Sequence, residues 1–213
     1  DYTWSSYASE GGNFGLFTSH EMIKRLKYDL LYIVMEFVYG KTILEHQQGT
    51  GLSVKRSLET VYELALALDY AHSKNVVHRD IKPGNIIITD KGEAKIVDFG
   101  LAKLAGVDLT QSTSSKGTAA YMCPEQIIGR KVDHRCDIWA LGVVLYEMLT
   151  GSLPYEGEYP EQMMYAIVNK DPKKLSDHLS DYPELLQIIV SKCLEKDPAD
   201  RYQNLAELLT DLK

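Results

Sequence analysis

Between residues 53 and 72 apolar side chains return at helical spacing. Val54, Leu58, Val61, Ala65, Leu68 and Ala71 or His72 form one stripe. With Ser53 in the capping position, the pattern predicts a long helix ending near His72. The stretch from Asp133 to Leu149 is apolar on nearly every side, which predicts a helix that is the buried axis of a domain. Asp133 is its expected cap, and Gly151 with Pro154 its expected stop. Three more helical segments are expected at about 160–169, 183–194 and 203–212. A β-branched and aromatic run, Leu30 to Val38, reads as a strand, and Tyr39-Gly40-Lys41 as the turn into a short helix near Thr42 to Gln47. Ile86 to Thr89 and Ala94 to Val97 read as two strands around an Asp90-Lys91-Gly92 turn. Residues 1–20 show no period, and 101–120 form a small, polar, hydroxyl-rich loop. The sum is an α+β chain, mainly α.

Composition changes this picture little but removes several function classes. The chain has 213 residues, 45% of them hydrophobic and 25% charged, which suits one globular domain with a real core. A net charge of −7 argues against a nucleic-acid partner, because phosphate binding needs a surplus of Lys and Arg. The longest apolar stretch, Ile138 to Leu149, is too short to span a bilayer and is interrupted by Glu147. No signal peptide is expected, and a first residue of Asp suggests a chain that begins partway through a longer protein. Cys123, Cys136 and Cys193 are odd in number and widely spaced. They suggest neither a disulfide framework nor a zinc site, and a reducing, cytoplasmic location.

The chemistry concentrates in residues 76–100. His78-Arg79-Asp80 is followed by Lys82 and Asn85, and then, past the two strands, by Asp98-Phe99-Gly100. A carboxylate such as Asp80 can orient a hydroxyl and accept its proton. Lys82, two residues on, can project a cation toward an anionic group. Asn85 and Asp98 offer hard oxygen donors suited to Mg²⁺. Gly100 gives the backbone freedom that a loop beside a ligand needs. Each phrase alone reads as a turn; both in order, with a hairpin between them, read as one functional site.

This pattern resembles the catalytic and metal-binding loops of the eukaryotic-type (Hanks-type) Ser/Thr protein kinases, and looks closest to bacterial members. The resemblance implies ATP and Mg²⁺ as cofactors and protein Ser/Thr hydroxyls as acceptors. Lys82 and Thr118 resemble the Ser/Thr-specific branch, in which the threonine bonds both the aspartate and the lysine. Arg79 resembles the subset switched by activation-loop phosphorylation, with Thr110, Ser112, Thr113, Ser114 and Ser115 as candidate acceptors. The segment from Gly117 to Glu125 resembles the substrate-docking segment, with Cys123 in place of the usual Ala. Glu125 is then expected to pair with Arg201, and Asp137 to brace the catalytic-loop backbone. Leu31 to Thr42 resembles the adenine-binding strand and hinge, with Met35 as gatekeeper, Glu36 and Val38 offering backbone groups, and Ile87 under the ring.

The implied organisation is an incomplete small-lobe remnant over 1–35, a hinge over 36–42 and a large lobe over 43–213. A Gly-rich phosphate loop is not evident, and residues 1–23 contain no Lys or Arg to serve as the phosphate-clamping strand lysine. The 213 residues alone are therefore expected to transfer phosphate poorly. Two readings compete: a protein kinase domain whose parent protein is active, and a truncated, pseudokinase-like domain that acts by binding other proteins.

Overall fold

The structure, a computed structural model, describes the backbone of residues 23–25 and 31–33 and the full residues 36–49, 51–99, 119–180 and 182–213. The chain divides into two compact units, residues 1–38 and 39–213. In the first, β1 (Ile23–Arg25) pairs antiparallel with β2 (Leu31–Ile33), with Ile23 opposite Ile33. The strand read over Leu30 to Val38 is therefore shorter, since Glu36 to Val38 are not in strand. Met35 lies outside the described residues, as do Gly100, Thr118 and the hydroxyls from Thr110 to Ser115.

The second unit is mainly helical. A small antiparallel sheet has the order β3 (Gly40–Thr42), β4 (Ile86–Thr89), β5 (Ala94–Ile96). Residues 39–41 were expected to turn, but Gly40 to Thr42 add a strand beside Thr89 to Ile87. Gly40 permits this, because a Cβ there would lie 2.2 Å from the Ile88 carbonyl oxygen. The β4–β5 hairpin turns through Gly92, whose φ of +82° favours glycine.

Helix α1 (Ile43–Gln48) is closed by a capping box in which Thr42 and Glu45 satisfy each other's backbone N–H groups. Helix α2 (Val54–Ser73) starts at Ser53, whose hydroxyl accepts from the Arg56 N–H at 3.2 Å. Its buried face is Ser57, Val61, Leu64, Ala65 and Leu68, while Val54 is exposed. The face is rotated from the expected stripe because Ser57 and Thr60, polar in sequence, turn inward. Short helix α3 (Pro124–Ile127) precedes α4 (Arg135–Thr150), and α5 (Pro160–Asn169), α6 (Glu184–Cys193) and α7 (Leu205–Asp211) follow.

Helix α4 is the axis. Every residue from Cys136 to Tyr146 is buried, and it packs against α2 and α6, while α7 packs on α2. It ends at Gly151, whose φ of +70° makes the left-handed cap. Asp133 is not its N-cap residue. His134 holds that position, and Asp133 instead accepts the Arg135 N–H at 2.9 Å and forks onto the Arg135 guanidinium. Among the described residues no strand follows Ile96.

The α4–α6 contact is close because Gly142 has no side chain. A Cβ there would come within 2.5 Å of the Cys193 Cβ. Gly142→Ala is expected to overpack this contact and destabilise the domain by about 1–3 kcal/mol, read from the urea midpoint. An unchanged midpoint would show that the two helices can move apart freely.

Candidate active site

The loop between α2 and β4 carries most of the chemistry, and the N-terminal turn of α4 holds it. The Asp137 side chain is fully buried. Its Oδ2 accepts the His78 N–H at 2.9 Å and its Oδ1 accepts the Arg79 N–H at 2.7 Å. His72, at the end of α2, places Nε2 2.7 Å from the same Oδ2. The position near a helix N-terminus favours this negative charge. Arg79 has a φ of +67°, a left-handed conformation that costs a non-glycine residue ~1–3 kcal/mol. It is pinned on both sides: Asp137 takes its N–H, and the Gln126 side-chain amide donates to its carbonyl at 3.1 Å.

His78 is buried and neutral. Its Nδ1 accepts the Asp80 N–H at 3.2 Å, so Nε2 carries the proton and donates to the Val97 carbonyl at 3.1 Å. Its ring meets Phe99 edge-on, with centroids 4.7 Å apart. Burial holds its pKa below the ordinary 6.5, against the opposing pull of the Val97 carbonyl and of Asp137, Asp80 and Asp98. The His78 ring thus ties the segment before Asp98 to the segment before Asp80.

Ile81 is buried, while Asp80 and Lys82 on either side of it are half-buried. Lys82 Nζ lies 2.7 Å from Asp80 Oδ2. Pro83–Asn85 then make a short 3-10 turn that swings Asn85 back, and its Nδ2 donates to the Asp80 carbonyl at 2.8 Å and to Asp80 Oδ2 at 3.0 Å. The Asn85 amide nitrogen is thus committed to Asp80. Asp98, exposed, has a φ of +61°, a second left-handed non-glycine residue in the same loop pair. The donor set of one carboxylate and one amide oxygen fits a hard cation such as Mg²⁺. Ile87 lies in β4, partly buried, directly after this turn. Glu36 and Val38 fall in the other unit of the chain.

Glu125, in α3, receives a fork from Arg201 at 2.8 and 2.7 Å, and both residues are buried. Arg201 also donates to the carbonyls of Glu195, Arg135 and Lys196, so all five of its N–H groups are used. Its guanidinium lies 5.0 Å from the centre of the Trp139 ring.

A family model described as the protein kinase domain matches residues 17–211. The chain belongs to the protein kinase family. Its relatives include the serine/threonine-protein kinase PknB of Mycolicibacterium smegmatis, 40% identical over 188 residues, which cover 86% of this chain and 30% of that protein. PknB of Mycobacterium tuberculosis gives the same identity and coverage. A probable serine/threonine-protein kinase of Streptomyces coelicolor, SCO3848, is 39% identical over 186 residues, 85% of this chain and 28% of that protein. The chain spans less than a third of the length of these relatives.

Several residues that hold this kinase domain together were not singled out from the sequence. His72 looked like the end of an apolar stripe. Gln126 carried no signal. Tyr121 donates its hydroxyl to Glu147 Oε2 at 2.6 Å, and burial pushes the pKa of both groups upward. Cys123 and Cys136 correct a reading outright: the fold joins them in a disulfide. They are only 13 residues apart, and α3 with the following loop brings that span back on itself.

Removing Arg201 alone, as in Arg201→Met, leaves Glu125 a buried unpaired charge and is expected to cost ~3–5 kcal/mol. Glu125→Gln added to it should recover part of that loss; strictly additive effects in urea unfolding would show that the pair carries no coupling. His78 gives a pH dependence. Because burial lowers its pKa, the unfolded chain takes up the proton first on acidification. Its stabilisation is complete above about pH 6.5 and is lost as pH falls from there toward the folded-state value. Between about pH 7.5 and about pH 5.5 the wild type should lose more stability than His78→Gln. Equal losses would mean that His78 does not remain neutral in the fold.

Proposed function

We propose that this chain is the large-lobe and hinge portion of a serine/threonine kinase that transfers the γ-phosphoryl group of ATP to Ser or Thr hydroxyls of proteins. In this reading residues 43–213 form the large lobe, 36–42 the hinge and 1–35 a small-lobe remnant. The observation that carries the reading is the cluster of Asp80, Lys82 and Asn85 around one carboxylate oxygen, Asp80 Oδ2.

The chemistry follows from that cluster. Asp80 orients the acceptor hydroxyl and takes its proton as the oxygen attacks the γ-phosphorus, and the bond to the bridging oxygen of ADP breaks. Lys82, already beside Asp80, sets a positive charge where negative charge collects on the transferred group. Asn85, through its amide oxygen, and Asp98 would hold Mg²⁺, which when bound neutralises phosphate charge. Asp137 and Gln126 act one step back, by fixing the backbone of His78 and Arg79 so that Asp80 points one way. Misplacing a reacting group by about 1 Å can cost ~100-fold in rate, which gives this backbone clamp its value.

The resemblance alone assigns adenine to Glu36, Val38 and Ile87, and an activating phosphate to Arg79. A kinase that draws on ATP is placed in the cytoplasm. Among the described residues no helix is long and apolar enough to cross a membrane.

The test is labelled-phosphate transfer by the full-length protein to a generic basic protein. Asp80→Asn is expected to lower kcat by ~10²–10⁴-fold with the fold intact by circular dichroism. Asp98→Asn should raise the Mg²⁺ concentration needed for half-maximal rate. Wild-type transfer unaffected by Asp80→Asn would reject the assignment.

A further inference from the structure

The loop between α3 and α4 folds two cysteines together at a place that phosphoryl transfer does not use. Cys123 immediately precedes α3, and Cys136 lies in the first turn of α4. Both are buried, and their Cα atoms are 5.5 Å apart, the separation most common in bonded pairs.

Two observations point to a pair that works in both oxidation states. Gln126 Oε1 lies 3.3 Å from Cys123 Sγ and 2.9 Å from Cys136 Sγ. After reduction the thiols would find a shared acceptor there, on the oxygen that also takes the Cys123 N–H. The second concerns the compartment and rests on the function proposed above. Where ATP is used, thiol reductants keep most cysteines reduced, and disulfides that do form are transient or redox-sensing. A metal accounts for the cluster less well. Glu125 completes a possible ligand trio with the two sulfurs, but both its oxygens are held by Arg201. That leaves two sulfurs where zinc takes four ligands.

We infer that Cys123 and Cys136 form a thiol–disulfide modification site, oxidised by low-molecular-weight disulfides, whose bond latches α3 to α4. One cysteine thiolate attacks a sulfur of the oxidant, giving a mixed disulfide and releasing one oxidant thiolate. The other cysteine, deprotonated, attacks the protein-bound sulfur, closes the Cys123–Cys136 bond and releases the second thiolate. The two cysteines give up two electrons and two protons, and the oxidant leaves as two thiols. Both sulfurs are shielded, so exchange waits on local opening of the exposed stretch from Ile128 to Lys131. Cys193 stays out of the exchange: it is fully buried in α6, and burial pushes its thiol up to about 12.

The latch reaches the candidate active site through one side chain. Gln126 Oε1 accepts the Cys123 N–H at 3.2 Å, while its Nε2 holds the Arg79 carbonyl. Oxidation removes two S–H donors from that amide and stiffens the segment that a protein substrate would meet.

The experiment uses the full-length protein, incubated with oxidised glutathione, then denatured, alkylated and mapped by peptide mass. The expected map has a linked peptide pair containing Cys123 and Cys136, with Cys193 alkylated. Reduction should lower the unfolding midpoint of this domain by ~5–10 °C. That shift should vanish in Cys136→Ser and persist in Cys193→Ala. The KM for a protein substrate should differ at least about threefold between the two forms, with the KM for ATP unchanged. Alkylation of both cysteines in the oxidised sample, release of one zinc ion per chain on denaturation, or a midpoint insensitive to reduction would each overturn the inference. Mapping and melting need no catalysis. A mapped disulfide in a protein that transfers no phosphate would therefore sink the proposed function and leave the latch standing.

Discussion

One buried carboxylate, Asp137, joins the helical core to the loop that carries Asp80. Its two oxygens accept consecutive backbone N–H groups, and the second of these belongs to a residue held in a left-handed conformation. Without that acceptor Arg79 would relax to an ordinary backbone geometry, and the direction of the next residue, Asp80, would change with it. The helix that presents Asp137 is buried at every residue from Cys136 to Tyr146, so it has no freedom to turn and bring another residue into the same position. Packing of the core thus fixes where one charge sits, and that charge fixes the loop.

The second constraint gathers at α3. Four residues cannot sustain a helix in water, because nucleation costs more than so few hydrogen bonds return. The element exists because its neighbours hold it: Arg201 grips Glu125, the Gln126 amide spans from Cys123 to Arg79, and a sulfur bridge runs from Cys123 to α4. A buried ion pair contributes little net stability, since desolvation offsets most of the attraction. Its value is positional. A fork onto a guanidinium whose five donors are all used admits one orientation of Glu125, and so one placement of the segment before it.

Long periodic stretches made the helices readable. The axis helix, its glycine stop and the three C-terminal helices were legible from apolar spacing alone, with ends displaced by a residue or two. What periodicity could not carry was long-range. The third strand depended on Gly40 approaching Ile88, a contact invisible before the chain is folded. Ser57 and Thr60 face inward on α2 although their polarity placed them outside. Around Asp80 the sequence announced which side chains carry chemistry, because Asp, Lys and Asn stand within six residues. Of the residues behind them, Gln126 comes from an element dozens of residues away, and neither it nor His72 has an unusual local pattern. The two cysteines misled for the same reason: their spacing matched no known framework, and only the fold of the intervening loop decides whether they meet.

Arg201 lies 76 residues after Glu125. During synthesis at roughly 5–20 residues per second, Glu125 has been made for several seconds before its partner exists. Through that interval the nascent chain holds a carboxylate that cannot be buried, so α3 and the segment before it stay undocked while α2 and α4 can already pack. The segment that carries Arg201 therefore acts as a completion signal, and a chain cut short before it would hold the Asp80 loop through Asp137 alone.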